Sequence, residues 1–372
     1  MSREITASDT LSIGTPQVYK PANLLRLDLG LINDAKGAEK LTFLPPKSDI
    51  HEILENEELL RGFENSRILI TGATGFVGTW LRTALTEANQ KYDLHLDLCL
   101  LCRDTSNILV NDSRKSISLI AHDLLKPISI PGQEFDFVFH TATPSQPSTG
   151  GTDPALVYKI STKGTENLLK FVSRQKVPTK LLHTSSGAVD LLNPEISETE
   201  IQKAYRLGKS AAEELVSEAT ERGEVAGVNP RLYAFAGPGI ATDAHFASGL
   251  FMRSALDEIP IIIQGNPETI RSYMYPTDLV SWLLRIIQSP STDVIRVGSP
   301  EKVTILELAE TIIKLTGKGS IAMRGNPEIA QSAYFPNLAE TLIKYNFGAI
   351  VNLQESLLRW AKYLRANIQP RW

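Results

Sequence analysis

The chain has 372 residues, 42% hydrophobic and 22% charged, which is enough for one large or two modest globular domains. A net charge of −4 excludes a polybasic nucleic-acid or membrane surface as its organising feature. No apolar run approaches the roughly 20 residues that span a bilayer, and Met1-Ser-Arg-Glu-Ile-Thr has no hydrophobic signal core, so the expectation is a cytoplasmic protein with neither membrane nor nucleic-acid partners.

Residues 1–65 read as an N-terminal extension. Its first 49 residues are irregular, with Pro16, Pro21, Pro45 and Pro46 among polar neighbours. Asp49 is placed to cap one short helix, Ile50 to Gly62, with Ile50, Ile53, Leu54 and Leu60 along one side.

The stretch Arg67 to Gly78 is the most informative in the chain. The apolar run Ile68-Leu69-Ile70 meets three glycines, Gly72, Gly75 and Gly78, spaced G-x-x-G-x-x-G, and apolar residues resume at helical spacing at Val77, Leu81 and Leu85. This predicts a buried strand, a tight turn and the start of a helix, the context in which such glycines hold a dinucleotide. Glycine lets a pyrophosphate approach the helix N-terminus, whose free N–H groups and dipole favour anions. The cofactor-binding candidates here are Gly72, Thr74, Gly75, Phe76, Val77 and Gly78.

From residue 66 onward, strand and helix patterns alternate. Strands are predicted at 67–71, 95–102, 116–121, 135–140, 179–185 and 225–233, with helices at 76–89, 154–174 and 203–222. The alternation predicts an α/β fold: a Rossmann-type doubly wound parallel sheet over 66–236, then a smaller C-terminal substrate lobe over 237–372, with segments near 270–299 returning to the first domain.

Ligands of such sheets lie beyond the carboxyl ends of the strands, so the residues there matter most. The second strand ends Leu101-Cys102-Arg103-Asp104. An acid near this point grips the adenosine ribose hydroxyls of NAD, whereas an arginine neutralises the 2′-phosphate of NADP; Arg103 tilts the expectation to NADP(H) over NAD(H). The third strand ends at Asp123, a candidate partner for the adenine amino group, followed by Leu124. The fourth ends His140-Thr141-Ala142, where small residues let the backbone lie against a cofactor.

Cys99 and Cys102 form a C-x-x-C, but they sit in a run that alternates as a strand does, so their side chains should point to opposite faces rather than pair. The six histidines show no metal-ligand spacing, and no metal is expected.

The fifth strand ends His183-Thr184-Ser185-Ser186-Gly187, and Tyr205-x-x-x-Lys209 follows on a helix. Positions i and i+4 share a helix face. An ammonium one turn from a tyrosine favours phenolate and is expected to lower a pKa near 10 towards neutrality. The tyrosine then exchanges a proton with a substrate hydroxyl while hydride moves to or from a nicotinamide.

These ordered motifs identify the chain as resembling an extended short-chain dehydrogenase/reductase of the NAD-dependent epimerase/dehydratase family, the nucleotide-sugar-modifying group. The resemblance covers about residues 66–365. It rests on Thr71 to Gly78, His140-Thr-Ala142, Lys163-Gly-Thr165, Thr184-Ser-Ser186, Tyr205-x-x-x-Lys209, Arg231 to Gly239, Gly265, Arg271 to Asp278 and Val297-Gly-Ser299. It implies that Tyr205 is the acid/base, that Lys209 holds the nicotinamide ribose and tunes Tyr205, that Ser186 bonds the reacting sugar oxygen and that Ser185 lies beside the nicotinamide. It implies further that Arg271 meets the substrate pyrophosphate, for which a guanidinium is suited; the alternative is a structural ion pair with Asp278. A homodimer is likewise implied.

The departures carry information. Sugar-nucleotide 4,6-dehydratases of this group place Asp-Glu where this chain has Gly187-Ala188, and decarboxylases place Glu at the Ala188 position, so the resemblance disfavours both. Asp190 replaces an aromatic residue, Ala234 and Ser161 replace asparagines, and Asn229-Pro230 interrupts a predicted buried strand, where proline removes a ladder donor. The expected activity is hydride transfer at sugar carbon 4, as a 4-epimerase or a 4-ketoreductase. The alternatives are an NADP-dependent reductase of a non-sugar carbonyl and a non-catalytic dinucleotide-binding protein.

Overall fold

In the computed structural model, the described residues are 43–367, other than 107, 109–115, 131–133, 143–152, 192–197, 243–245, 326–331 and 349, together with the backbone of 32–33 and 39–40. Most of the N-terminal extension therefore lies outside them.

The six apolar runs form one six-stranded sheet. In chain order its strands are Arg67–Thr71, Asp97–Cys102, Ile117–Ala121, Phe137–His140, Thr179–His183 and Val225–Val228. All neighbours are parallel, and across the sheet the order is third, second, first, fourth, fifth, sixth. The order reverses between the first and fourth strands, so a crevice opens at their carboxyl ends.

Alternate side chains of each strand serve opposite faces. Ile68, Ile70, Leu98, Leu100 and Phe139 pack with Trp80 and Leu81 of helix Phe76–Tyr92 and with Leu279 and Leu283 of helix Pro276–Gln288. Leu69, Leu101, Val138 and Leu181 pack with Leu168 and Val172 of helix Pro154–Val172 and with Val216 and Ala219 of helix Glu200–Glu221. Cys99 belongs to the second cluster and Cys102 to the first, both as free thiols, so the C-x-x-C is divided between the two faces as its strand period predicts. Burial pushes the Cys99 thiol up to about 12.

Two predicted strands are each broken in two. The fifth stops at His183 and resumes as Ser185–Ser186; the sixth stops at Val228 and resumes as Arg231–Leu232. The resumed pieces join Arg296–Val297 in a second parallel sheet. Pro230 occupies the jog between the pieces, where no ladder donor is needed, and its carbonyl accepts the Ser185 N–H at 2.9 Å. The proline is what moves the chain from one sheet to the other.

A separate apolar cluster holds Phe251, Met252, Tyr273, Leu308, Ile312 and Trp360. It joins helices Ala247–Leu256, Ile305–Thr316 and Leu353–Asn367 to the strand pair Ile261–Ile263 and Ile321–Met323. Beside them, Ile270–Arg271 lies between Val303–Thr304 and Ala333–Tyr334. The two clusters meet where Trp80, fully buried, donates its indole N–H to the Pro238 carbonyl at 3.0 Å.

The expected single helix Ile50 to Gly62 is instead two, Lys47–Ile53 and Glu57–Arg61. Asn56 interrupts it by capping the second piece through the Leu59 N–H. Asp49 is no cap. It lies within the first turn, buried, and accepts a hydrogen bond from the Tyr275 hydroxyl at 2.6 Å, which ties the extension to helix Pro276–Gln288.

Candidate active site

The glycine turn connects the first strand to helix Phe76–Tyr92, whose N-cap is Gly75 with no side-chain cap. Its N-terminal N–H groups are thus left for a ligand. Gly72 has φ of 69°, and a Cβ there would stand 2.7 Å from the Ala142 N and Cα. A Cβ on Gly78 would stand 2.3 Å from the Gly72 carbonyl oxygen, whereas one on Gly75 meets only that same oxygen, at 3.3 Å. Gly72 and Gly78 let the turn close; Gly75 keeps its outer side open. Thr74 and Gly75 are exposed and Phe76 and Val77 half-buried. Thr141 Oγ1 donates to the Thr71 carbonyl at 2.7 Å, holding Thr141 and Ala142 across the crevice from the turn.

Arg103 lies exposed at the end of the second strand. Beneath it is Arg82, which the sequence reading missed because a cation on the inner face of an amphipathic helix looks like a stray. Arg82 is only 5% exposed and its Nε donates to the Ala73 carbonyl at 3.0 Å. Its Nη2 is buried with no hydrogen-bond partner, and burial lowers its proton affinity. Asp123 uses its carboxylate to accept the Leu125 N–H at 3.0 Å, forming the turn after the third strand; Leu124 beside it is buried.

The broken fifth strand delivers Ser185 and Ser186, both buried, to the crevice. Helix Glu200–Glu221 begins with a capping box, Thr199 with Gln202, and so carries Tyr205 and Lys209 well inside it, on one face. The Tyr205 hydroxyl and Ser186 are hydrogen-bonded. Lys209 is 3% exposed and donates to the Thr184 carbonyl at 2.5 Å, with its ammonium 5.9 Å from the centre of the Tyr205 ring. Burial lowers the Lys209 ammonium to about 7, with Glu213 opposing. The expectation that Lys209 lowers the Tyr205 pKa is not met. Burial raises the phenol, and the opposing influence is the Ser186 hydrogen bond. Desolvation outweighs a cation that is itself half-neutralised by the same dry pocket.

A second phenol shares this point. Tyr334, from the strand beside Arg271, is hydrogen-bonded to Ser186 and lies in the field of Tyr205, and its ring packs on Tyr233 at 4.8 Å. Burial pushes it well above the ordinary phenol value. Nothing in its local sequence marks it; only the register Arg271↔Tyr334 brings it in.

Arg271 is not paired with Asp278. Its Nη1 donates to the Ile270 carbonyl at 2.8 Å and its Nη2 to Ser332 Oγ at 3.2 Å. Among the described residues it has no carboxylate partner. Asp278 instead accepts the Val351 N–H at 2.9 Å and is raised by burial to about 6.

Behind the serines lies a charged network. Arg231 donates to Glu213 at 2.9 and 2.6 Å and to Asp190 at 2.6 Å. Asp190 also accepts from Arg296 at 2.9 Å and from the Tyr233 hydroxyl at 2.6 Å, while Glu213 accepts from Ser185 Oγ. Asp190, which the sequence comparison marked as replacing an aromatic residue, is thus the hub of two arginines and a tyrosine. Among the described residues no group of three or more His, Cys, Asp or Glu is arranged to hold a metal.

A turn closed by two obligatory glycines, an uncapped helix end opposite a small-residue strand end, and a buried Tyr–Lys pair fit a nicotinamide dinucleotide. Comparison with known proteins agrees. The family model "NAD dependent epimerase/dehydratase family" matches residues 68–298, more than half of the chain. UDP-glucuronic acid decarboxylase 5 of Arabidopsis thaliana is 28% identical over 261 residues, covering 68% of this chain and 75% of its own. UDP-glucuronic acid decarboxylase 1 of Xenopus tropicalis is 25% identical over 318 residues, covering 82% and 74%. Among solved structures, an epimerase from Methanothermobacter thermautotrophicus superposes with a TM-score of 0.69 at 18% identity, covering 84% of this chain and 95% of that one. The UDP-glucuronic acid 4-epimerase of Bacillus cereus, in complex with UDP-glucuronic acid and NAD, gives 0.66 at 19% identity, covering 81% and 99%. Fold, site and family model agree: the chain belongs to the NAD-dependent epimerase/dehydratase family.

Proposed function

We propose that this protein is an NAD(P)-dependent nucleotide-sugar-modifying enzyme that transfers hydride at sugar carbon 4, as a 4-epimerase or a 4-ketoreductase. The observation that carries the reading is the meeting of three hydroxyls, Ser186, Tyr205 and Tyr334, beside buried Lys209 and opposite the glycine turn. When bound, the nicotinamide accepts or returns the hydride. Tyr205 takes the proton of the sugar hydroxyl, or gives one to the carbonyl oxygen. Ser186 holds that oxygen within reach, as the Tyr205 and Tyr334 hydroxyls already show by bonding to it. Lys209 supplies positive charge behind Tyr205. Arg271, a cation without a carboxylate partner among the described residues, is the group for the substrate pyrophosphate.

Decarboxylation is the second reading, since the curated relatives named above carry that name. It too begins with oxidation at carbon 4 and would use the same Tyr205. Against it, and against dehydration, stands the site next to Ser186. A Cβ on Gly187 would lie 2.7 Å from the Tyr233 ring, so no acid fits there without moving a tyrosine anchored to Asp190, and Ala188 offers no acid either.

NADP is the cofactor favoured by the residues. Two cations, Arg103 and Arg82, stand at the end of the second strand, and Asp104 is engaged with the Ser106 N–H and hydroxyl. The N-terminal ends of the paired helices Pro154–Val172 and Glu200–Glu221 expose Leu156, Tyr158 and Leu207, the surface proposed for a homodimer.

The deciding experiment incubates the protein with UDP-, dTDP-, GDP- and CDP-sugars, UDP-glucuronic acid included, with and without NADPH, and reads the products by mass spectrometry. Gain of two hydrogens means reduction, an isomer of equal mass means epimerisation, loss of carbon dioxide means decarboxylation, and loss of water means dehydration. Tyr205→Phe should abolish turnover while cofactor still binds; unchanged turnover refutes the acid/base assignment.

A further inference from the structure

Two buried histidines stand behind Lys209, and their hydrogen bonds distinguish them. His140 and His183 end adjacent strands, are fully buried, and have ring centres 5.5 Å apart. His140 is satisfied at both nitrogens. Thr165 Oγ1 donates to the Ser161 carbonyl at 2.7 Å and so accepts from His140 Nε2 at 3.1 Å, leaving His140 Nδ1 to accept from Thr71 Oγ1 at 2.7 Å.

His183 is the other case. Asn229 Nδ2 donates to the Glu213 carbonyl at 3.3 Å, which fixes the amide with its oxygen towards His183. That oxygen lies 2.9 Å from His183 Nδ1, so Nδ1 must carry the proton. His183 Nε2 is therefore a bare lone pair, buried, with no hydrogen-bond partner among the described residues. The Lys209 ammonium acts on this ring strongly enough to disfavour its protonation, as it does on His140, so His183 stays neutral. Its dipole then has its negative end at Nε2. The groups around Lys209 are thus the Thr184 carbonyl, Tyr205, Glu213 and the two imidazoles, with Asn229 behind one of them.

We propose that His183, with its tautomer fixed by Asn229, is a positioning residue for Lys209: its bare Nε2 helps hold the lysine as an ammonium against the Thr184 carbonyl. A neutral acceptor lone pair stabilises a cation in a dry pocket, where charge–dipole energies are large. An apolar ring in its place leaves the ammonium less compensated, so Lys209 loses its proton at lower pH and Tyr205 loses its counter-charge. The proposal also accounts for the Asn229-Pro230 interruption. Pro230 ends the edge strand, and Asn229, released from the ladder, turns its amide to His183.

The kinetic part of this inference rests on the Tyr205–Lys209 reading above; its physical part does not, and the test separates them. Two-bond nitrogen–proton NMR on the full chain should show His183 as the Nδ1–H tautomer. Lysine side-chain NMR should then follow the titration of Lys209 in the wild type, in His183→Phe and in Asn229→Leu, the last leaving the ring in place but freeing its tautomer. Lys209 should titrate about one pH unit lower in both variants, and kcat near neutral pH should fall about tenfold with KM unchanged, its acid limb displaced. His183→Gln, which keeps an acceptor, should recover most of the loss. If His183→Phe does not fold, Asn229→Leu carries the test. An Nε2–H tautomer in the wild type, or a Lys209 titration unchanged in the variant that folds, overturns the proposal. A shifted titration in a protein that turns over no nucleotide sugar upholds it and refutes the proposed activity instead.

Discussion

The three glycines of the turn are predicted to fail in three different ways when replaced by alanine. Gly72→Ala combines a left-handed φ of 69° with a Cβ 2.7 Å from the Ala142 backbone. The left-handed conformation costs an L-residue about 1–2 kcal/mol, and overpacking against backbone adds about 1–3 kcal/mol. Gly78→Ala brings only the second cost, since its Cβ would lie 2.3 Å from the Gly72 carbonyl oxygen. Gly75→Ala meets that oxygen at 3.3 Å and should change stability by less than about 1 kcal/mol. Gly75, however, is exposed at the uncapped helix end where a pyrophosphate must approach. It should therefore lose cofactor affinity at least tenfold, about 1.4 kcal/mol, while remaining stable. Urea unfolding gives the stability order Gly75→Ala, Gly78→Ala, Gly72→Ala from least to most damaged, and calorimetric titration with NADPH and NADH gives the affinities. A Gly75→Ala variant that binds both cofactors like the wild type would refute the placement of the pyrophosphate.

Arg103→Ala and Arg82→Met should each weaken NADPH binding much more than NADH binding; equal losses, measured by fluorescence titration, remove the argument for NADP. Tyr334→Phe keeps the ring on Tyr233 but removes the bond to Ser186, so turnover should fall about 3- to 30-fold, as the loss of one hydrogen bond of roughly 1–2 kcal/mol implies, with thermal stability nearly unchanged; full activity would make Tyr334 mere packing. Lys209 gives a stability slope. Its folded-state proton leaves near pH 7, while the unfolded chain holds it to the model value of 10.5, so the unfolded state binds more protons between those limits. Stability should therefore gain up to about 1.4 kcal/mol per pH unit from this group as pH rises from 7 towards 10, and lose it as pH falls back. Lys209→Met should flatten that slope in urea titrations; an unchanged slope would mean that Lys209 is not neutralised by burial.

What could be read from the sequence was whatever depends on local spacing. The glycine turn, the parallel strands and the Tyr205–Lys209 pair are written in intervals of two to seven residues, and each lies where its period places it. What could not be read depends on contacts between segments distant in sequence. Tyr334 reaches Ser186 only through the pairing of two short strands, and its own segment has no periodicity to announce it. Arg82 occupies an inward helical position where an apolar residue is expected, and its role needs the neighbouring strand end. The helix break at Leu54–Asn56 was missed because the apolar spacing continues through it while the cap at Asn56 ends it. The Tyr205 pKa was misjudged for a related reason. Spacing along the helix locates the ammonium, but only burial, a property of the fold, decides which influence wins.

The departures from the family pattern prove to be connected. Asp190 in place of an aromatic residue would be a buried, unpaired charge, costly on its own. It is stable because Arg231, Arg296 and the Tyr233 hydroxyl converge on it, and these together hold its carboxylate below the usual range despite burial. Anchoring Tyr233 in turn places its ring over Gly187, which excludes a side chain there, and stacks it against Tyr334, which meets Ser186. The substitution that seemed to weaken the site therefore fixes its shape. One carboxylate removes the space for an acid beside the reacting oxygen and supports a second phenol in its stead. Glu213 extends the same network from Arg231 to Ser185 and helps keep Lys209 protonated. A site built this way has no acid beside Ser186 to expel water from a sugar, but retains every group needed to remove and return a proton at one hydroxyl.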